Sequence, residues 1–94
     1  MNYVIYKYEC PAARNSHRVP LGAKPLHVGP DPTGTICVWF LCPLLDVVGE
    51  NVNKLPVVVH QVWTGQHVKH GLQHLGSFVS GDDLMVHYFL EGIQ

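Results

Sequence analysis

Histidine is the residue type in this chain best suited to carry chemistry, since seven of the 94 residues are histidines. Three of them, His67, His70 and His74, follow one another at helical spacing. On a helix they would share one face, where imidazole nitrogens can hold zinc. Glycines surround and interrupt the group, however, and glycine disfavours a helix. We therefore predict a polar loop that leads into a strand and no metal site, with a zinc-binding domain built on these three histidines as an alternative.

The turn at residues 64–67 is a second candidate site, because it follows a predicted strand and combines a hydroxyl, a flexible glycine and an imidazole. Such a turn can present N–H donors to an anion. Trp63, directly before it, and Trp39, expected on a neighbouring strand, have rings that can stack on a base. The alternative for both tryptophans is an anchoring role in the core or at an interface. The predicted ligand-binding residues are Trp63, Thr64, Gly65, His67 and Trp39.

The sequence contains no assembled catalytic signature. A Gly-x-Ser-x-Gly elbow is missing, and no histidine is followed two positions later by Ser or Thr, as in two-histidine phosphoesterases. Asp82-Asp83 is better explained as a hairpin turn. His60 and His87 have apolar neighbours and are typical of half-buried strand residues. We therefore predict a protein that is not an enzyme and needs no cofactor.

The elements that must position these residues are strands, because β-prone runs separated by turn residues dominate the chain. Gly29–Gly34 and Ser80–Asp83 are predicted hairpin loops, and Arg14–Ser16 is predicted as a polar turn. Leu44–Leu55 could be a loop or one irregular helical turn. The prediction is a single all-β domain over residues 1–94, a small antiparallel sandwich or partly open barrel of six to seven short strands. The predicted strands span residues 3–9, 17–20, 24–28, 35–42, 57–63, 72–79 and 84–90.

The strand at residues 35–42 is apolar on both faces, which predicts a central strand of a sandwich or one with an oligomer interface on its outer face. Within it, Cys37 and Cys42 lie on opposite parities and are poor disulfide partners. With Cys10 the cysteine count is odd, and residues 1–8 look like a strand and not like a signal peptide. Reduced cytosol fits these features best.

The composition predicts assembly. Apolar residues make up 47% of the chain and charged residues 14%, while a chain of this size has little interior in which to bury them. A homo-oligomer that buries apolar strand faces between subunits is therefore expected, with a monomer that carries an ordinary apolar patch as the alternative. The net charge of −1 and the dispersed basic residues argue against generic nucleic-acid or membrane binding. The longest apolar run, Ile36–Leu45, is too short to span a bilayer.

Several segments resemble a family of small, largely uncharacterised phage-encoded all-β proteins. The similarity lies in Tyr6-Lys7-Tyr8, in the turn at residues 20–23, in Cys37-Val38-Trp39, in Thr64-Gly65-Gln66-His67 as a Thr-Gly-His element, and in the closing hairpin. That hairpin is formed by Leu75-Gly76-Ser77-Phe78 and the run Leu84–Phe89. The resemblance implies a phage accessory protein in the cytoplasm of the host cell and implies no reaction.

Together these features lead us to expect a protein that acts by binding. The expected function is counter-defence, by sequestering a host component such as a nucleotide immune messenger within an oligomer. Two alternatives, besides the zinc-binding domain, are a protein–protein inhibitor of a host enzyme, which would add a strand or a flat apolar face, and a structural virion or assembly protein.

Overall fold

The computed structural model describes residues 2–44 and 54–92. In these residues the chain forms strands and turns and no helix, so the predicted all-β class is confirmed. No helix in this part of the chain is therefore long and apolar enough to cross a membrane. Most of the segment predicted as a loop or an irregular helical turn, residues 45–53, lies outside the described residues. The strands are β1 (Asn2–Glu9), β2 (Arg14–Pro20), β3 (Lys24–Pro30), β4 (Ile36–Leu44), β5 (Lys54–Trp63), β6 (Gln73–Val79) and β7 (Met85–Glu91).

The strands form two antiparallel sheets that pack face to face. One has three strands in the order β1-β4-β3, and the other has four in the order β2-β5-β7-β6. The sheets are not closed into a barrel, so the sandwich of the two predicted architectures is the observed one. At one side of the sandwich β3 lies against β6. At the other side the rings of Tyr8 in β1 and His17 in β2 lie 5.3 Å apart.

Strand β4 is the central strand of its sheet, as its two apolar faces predicted. Val38, Phe40 and Cys42 point into the core between the sheets, and all three are fully buried. Cys37 lies on the other face, with its sulfur 3.8 Å from Asp31 Oδ2. The predicted opposite orientation of Cys37 and Cys42 is therefore confirmed, and both thiols are free. From the facing sheet, β5 and β7 complete the core with Val57, Val59, Val86, Tyr88 and Leu90.

The two predicted hairpin loops are confirmed. In the first, Asp31 accepts hydrogen bonds at Oδ1 from the backbone N–H groups of Thr33 (2.9 Å) and Thr35 (3.1 Å), and Gly34 has a φ of +88°. In the second, the N–H of Ser80 donates to the carbonyl of Leu84 at 2.8 Å. Asx-type hydrogen bonding and left-handed glycines are the features that make such sequences turn.

The prediction of a polar turn at Arg14–Ser16 is wrong, because β2 already begins at Arg14. The reason is Asn15, which lies buried in the core yet has its polar atoms satisfied. Its Nδ2 donates to the carbonyls of Ala12 (2.7 Å) and Val59 (3.2 Å), and its Oδ1 accepts from the N–H of Ala12 (2.9 Å). A polar residue that finds such partners can occupy a core position of a strand.

Candidate functional site

The predicted ligand-binding turn forms directly after β5. The N–H of Gln66 donates to the carbonyl of Trp63 at 2.9 Å, and Gly65 has a φ of +95°. This pattern is that of a type II turn, whose third residue needs a positive φ and is therefore usually glycine. Thr64, Gly65 and His67 are all exposed. The turn is thus formed as predicted, on the surface of the protein.

The two tryptophans do not form a joint stacking platform. The expectation that Trp39 and Trp63 come from neighbouring strands is wrong, because β4 and β5 belong to different sheets. Trp63 packs against the core from the inner side of the four-stranded sheet. Trp39 lies on the outer face of the three-stranded sheet, with its ring centre 5.5 Å from that of His27. Only Thr64 of the predicted residues joins the cluster described next.

A chain of hydrogen bonds runs across the outer face of the four-stranded sheet, from Thr64 through His87 and Ser77 to His74. Thr64 Oγ1 lies 2.9 Å from His87 Nε2, and His87 Nδ1 lies 2.6 Å from Ser77 Oγ. Ser77 Oγ in turn lies 2.8 Å from His74 Nε2. Each contact in this chain can pair one donor with one acceptor, because a hydroxyl donates once and accepts twice and therefore suits either tautomer of an imidazole. The chain therefore fixes the ring orientation of both histidines.

The chemistry of this chain suits hydrogen bonding to a ligand better than nucleophilic attack. A serine nucleophile needs a base that is itself held by an orienting group, most often a carboxylate. Within residues 2–44 and 54–92, both ring nitrogens of His87 bond to hydroxyls and neither bonds to a carboxylate. The imidazole of His87 thus contacts the Ser77 hydroxyl as a base would, but it lacks the bond to a carboxylate that usually orients and stabilises such a base.

A lateral row of side chains crosses the same face, one from each strand of the sheet. The strand register places Arg14 opposite His60, His60 opposite Phe89, and Phe89 opposite His74. Directly opposite residues in a sheet point to the same face, so the phenyl ring lies between two imidazoles, with a guanidinium beyond. The rings of His74 and Phe89 are 5.2 Å apart. We call this outer surface the histidine face, defined by Arg14, His60, Thr64, His74, Ser77, His87 and Phe89.

Glu91 borders the histidine face and bonds to Lys69 and His60. Its Oε2 accepts a hydrogen bond from Lys69 Nζ at 2.9 Å, and its Oε1 accepts one from His60 Nε2 at 2.8 Å. The hydrogen bond from Lys69, and then that from His60, lowers the pKa of the Glu91 carboxyl to about 2. The carboxylate is therefore ionised at neutral pH and anchors the loop that carries Lys69 to the end of β7.

The predicted zinc alternative does not match the observed conformation. His67 and His70 lie in a loop without helical structure, whereas His74 lies in β6 and bonds to Ser77. Within the described part of the chain, no three His, Cys, Asp or Glu side chains form a group that could hold a metal ion. The three histidines therefore do not share the helical face on which that alternative depended.

A groove of about 630 Å³ lies near the start of β5, and its lining includes Gln73 and Gly92, the chain neighbours of His74 and Glu91. It opens near Leu55, at the start of β5, whereas Thr64 follows the end of the same strand. Its lining is mostly apolar and contains one cationic side chain, that of Lys24. The groove is therefore separate from the predicted ligand-binding turn.

Sequence reasoning treated His60 and His87 as ordinary strand residues and gave no role to Ser77, Arg14 or Phe89. The signal that could have grouped them is the closing hairpin. A turn at residues 80–83 places Val79 opposite Met85, and counting back along both strands brings Ser77 opposite His87. The row of Arg14, His60 and Phe89 depends on the order of the strands in the sheet, which the sequence did not provide.

The fold and this surface define a class of protein, a small antiparallel β-sandwich domain with a histidine-rich outer sheet face. The chain belongs to the family described as a domain of unknown function, DUF7352, whose model matches residues 1–93. No curated protein and no solved structure matches the chain.

Proposed function

We propose that this protein acts by binding a small nucleotide-like ligand on the histidine face. The observation that carries the proposal is the row in which Phe89 lies between His60 and His74, with Arg14 at its end. Aromatic side chains on an open sheet face are a common platform for bases, because every base has a flat π surface that stacks on a ring.

The same face offers groups that recognise phosphate and sugar oxygens. Arg14 is exposed at the edge of the row, and a guanidinium can hold a phosphate with two parallel hydrogen bonds. The hydroxyl of Ser77 and the imidazole of His87 lie one row further along the strands, and the hydroxyl of Thr64 contacts that imidazole from the turn after β5. These donors and acceptors suit ribose hydroxyls and phosphate oxygens. A compact site of this kind needs no basic patch, which agrees with the net charge of −1.

The biological setting that we propose is counter-defence by a phage accessory protein in the host cytoplasm, where the ligand would be a nucleotide immune messenger. The sequence similarity supports this setting, because its Thr-Gly-His, Leu-Gly-Ser-Phe and closing-strand segments contribute Thr64, Ser77 and His87. These three residues come from separate segments and meet in one hydrogen-bonded chain. Sequestration requires binding without turnover, and a serine–histidine pair without a carboxylate is consistent with that role.

The proposal is tested by melting the protein with a panel of mononucleotides, cyclic dinucleotides and ADP-ribose compounds. A ligand at about ten times its Kd adds about 1.4 kcal/mol to the free energy of unfolding, which raises the Tm of a domain of this size by roughly 5–10 °C. We expect at least one compound to produce such a shift. Arg14→Ala and Phe89→Ala should weaken its binding about tenfold or more, given the usual contribution of stacking and of a charged hydrogen bond.

Two matched controls accompany these variants. Arg18→Ala removes the same kind of charge from the same face of β2 four residues away, and Tyr3→Ala removes an exposed ring from the other sheet. Both should bind like the wild type. If no nucleotide shifts the Tm while the protein retains one host protein from a lysate, the proposal is overturned in favour of a protein–protein inhibitor.

A further inference from the structure

The sandwich has four edge strands, and three of them carry features that prevent pairing with another strand. Strand β3 contains prolines and an irregular register, β2 contains a proline and two arginines, and β6 contains an irregular register beside a glycine. Prolines, charges and bulges are the usual means by which proteins protect the edges of sheets.

Strand β1 lacks these features. It runs for eight residues with an unbroken register to β4 and contains no proline. Tyr3 and Ile5 are each 56% exposed, and Tyr6 is also exposed. The one lysine that could protect this edge, Lys7, has its Nζ bound to Asp31 Oδ2 at 3.0 Å. An edge of this length with exposed apolar side chains is a template for another strand.

The hydrogen-bonding pattern between β1 and β4 shows which backbone groups of β1 are available to pair with another strand. The N–H of Cys10 donates to the carbonyl of Ile36 at 2.8 Å, so the directly opposite residues 10 and 36 form a hydrogen-bonded pair. Such pairs alternate along an antiparallel ladder. The backbone groups of the even residues of β1 therefore point to β4, and those of Tyr3, Ile5, Lys7 and Glu9 point out from the edge. The outward carbonyl of Glu9 is already occupied, since His17 Nε2 donates to it at 2.7 Å.

We propose that β1 pairs antiparallel with β1 of a second copy of this chain, with Ile5 opposite Ile5. A two-fold axis perpendicular to the sheet leaves each side chain of the second copy on the same side of the sheet as in the first. Directly opposite residues also share a side, so an odd-numbered residue must lie opposite an odd-numbered one, and an even-numbered residue opposite an even-numbered one. This register places Tyr3 opposite Lys7 and forms about six backbone hydrogen bonds from residues 3, 5 and 7 alone. The neighbouring register, with Tyr6 opposite Tyr6, would need the occupied carbonyl of Glu9.

The side chains fit this partner as well as the backbone does. No two like charges lie opposite each other in the proposed register, and Val4 lies opposite Tyr6 on the core side. On the outer side, Ile5 meets its own copy between two pairs of Tyr3 and Lys7. The dimer joins the two three-stranded sheets into one continuous sheet and covers the exposed apolar side chains of β1. This inference does not rest on the proposed function, because the histidine face lies on the other sheet.

The test is sedimentation of the full chain and of charge variants at Ile5. We expect the wild type to be a dimer at micromolar concentrations, and Ile5→Lys and Ile5→Glu each to raise the dimer Kd at least tenfold, because each places two like charges opposite one another. An equimolar mixture of the two variants should recover the dimer, since opposite charges then meet. The control is Val79→Lys, an equally exposed site on the β6 edge (61%), which should dimerise like the wild type.

Cross-linking checks the register without relying on charge. All three native cysteines are buried, so Ile5→Cys introduces one accessible thiol beside its own copy, about 5.5 Å away between Cα atoms, which a disulfide can bridge. It should form a covalent dimer on oxidation, whereas Tyr3→Cys alone should not. A monomeric wild type, a dimer that Val79→Lys disrupts, or equal cross-linking of both cysteine variants would each overturn the proposal.

Discussion

Asp31 shows how a single residue of this chain links local structure to stability. Its carboxylate accepts hydrogen bonds from Thr33 Oγ1 (2.6 Å), Lys7 Nζ (3.0 Å) and two backbone N–H groups of its own loop. The hydrogen bond from Thr33, and then that from Lys7, lowers the pKa of the Asp31 carboxyl far below its usual range. The same carboxylate therefore closes the β3–β4 hairpin and ties it to β1.

The lowered pKa of Asp31 predicts a loss of stability in acid. In the unfolded chain this carboxyl titrates near pH 4, and in the folded chain well below that. Because the folded state favours the ionised form, the stabilisation is complete above about pH 4 and is lost as the pH falls below it. We expect Asp31→Asn to lower the Tm at pH 7. The Tm of the variant should also fall less steeply than that of the wild type between pH 4 and pH 2. Thermal melts across that pH range measure both effects, and a parallel decline in the variant would show that other carboxyls are responsible.

A substitution of Trp63 distinguishes between two roles for this residue, stacking on a ligand and packing in the core. Its ring packs against the core and the histidine face lies on the other side of its sheet. Truncation of a partly buried aromatic leaves a cavity, so Trp63→Ala should lower the free energy of unfolding by about 2–4 kcal/mol. The fraction that remains folded should bind ligand with unchanged affinity. Chemical denaturation measures the first effect and titration the second, and a stable variant that fails to bind would identify Trp63 as a contact residue after all.

Among the elements, β3 and β6 come into close contact at Gly76. A Cβ atom at this position would lie 2.9 Å from Val28 Cγ1, closer than carbon atoms normally come. Gly76→Ala should therefore destabilise the fold by about 1–3 kcal/mol through overpacking. Val28→Ala removes the clashing methyl groups, so the double variant should lose less than the sum of the two single losses. Urea denaturation of the four proteins measures this coupling, and strictly additive losses would contradict the close approach.

The strands and hairpins of this fold were predictable because their signals are local. Runs of β-prone apolar residues predict β1 and β4 to β7, and the Pro-Asp-Pro-Thr-Gly turn and the Asp82-Asp83 turn set the hairpins. The prediction failed at Arg14–Ser16, where polarity indicated a turn but Asn15 finds its hydrogen bonds inside the core.

The candidate site was predictable only in part, since it depends on contacts between distant segments. The Thr64-Gly65 turn was visible in the sequence, and Thr64 does bond to His87. The row of Arg14, His60 and Phe89 joins three strands whose order follows from packing of the whole sandwich. The assignment of Trp39 to a strand beside Trp63 failed for the same reason, because neighbours along the chain need not be neighbours in a sheet.

At the scale of the whole molecule, the two sheets present different outer surfaces. The four-stranded sheet carries the polar histidine face, whereas the three-stranded sheet exposes Tyr3 and Ile5 along its open β1 edge. Pairing through β1 would leave the histidine faces of both copies open to solvent. The proposed dimer and the proposed ligand site are therefore compatible, because they use different sheets.

The most direct test of the central proposal is a nuclear magnetic resonance titration of the ¹⁵N-labelled chain with the nucleotide that gives the largest melting shift. If the histidine face is the binding site, the amide signals of His60, His74, Ser77, His87 and Phe89 should shift together along one saturation curve. Signals near Trp39 and in the groove around Leu55 should stay in place. Shifts confined to those two regions, or no saturable shift with any compound of the panel, would contradict the account.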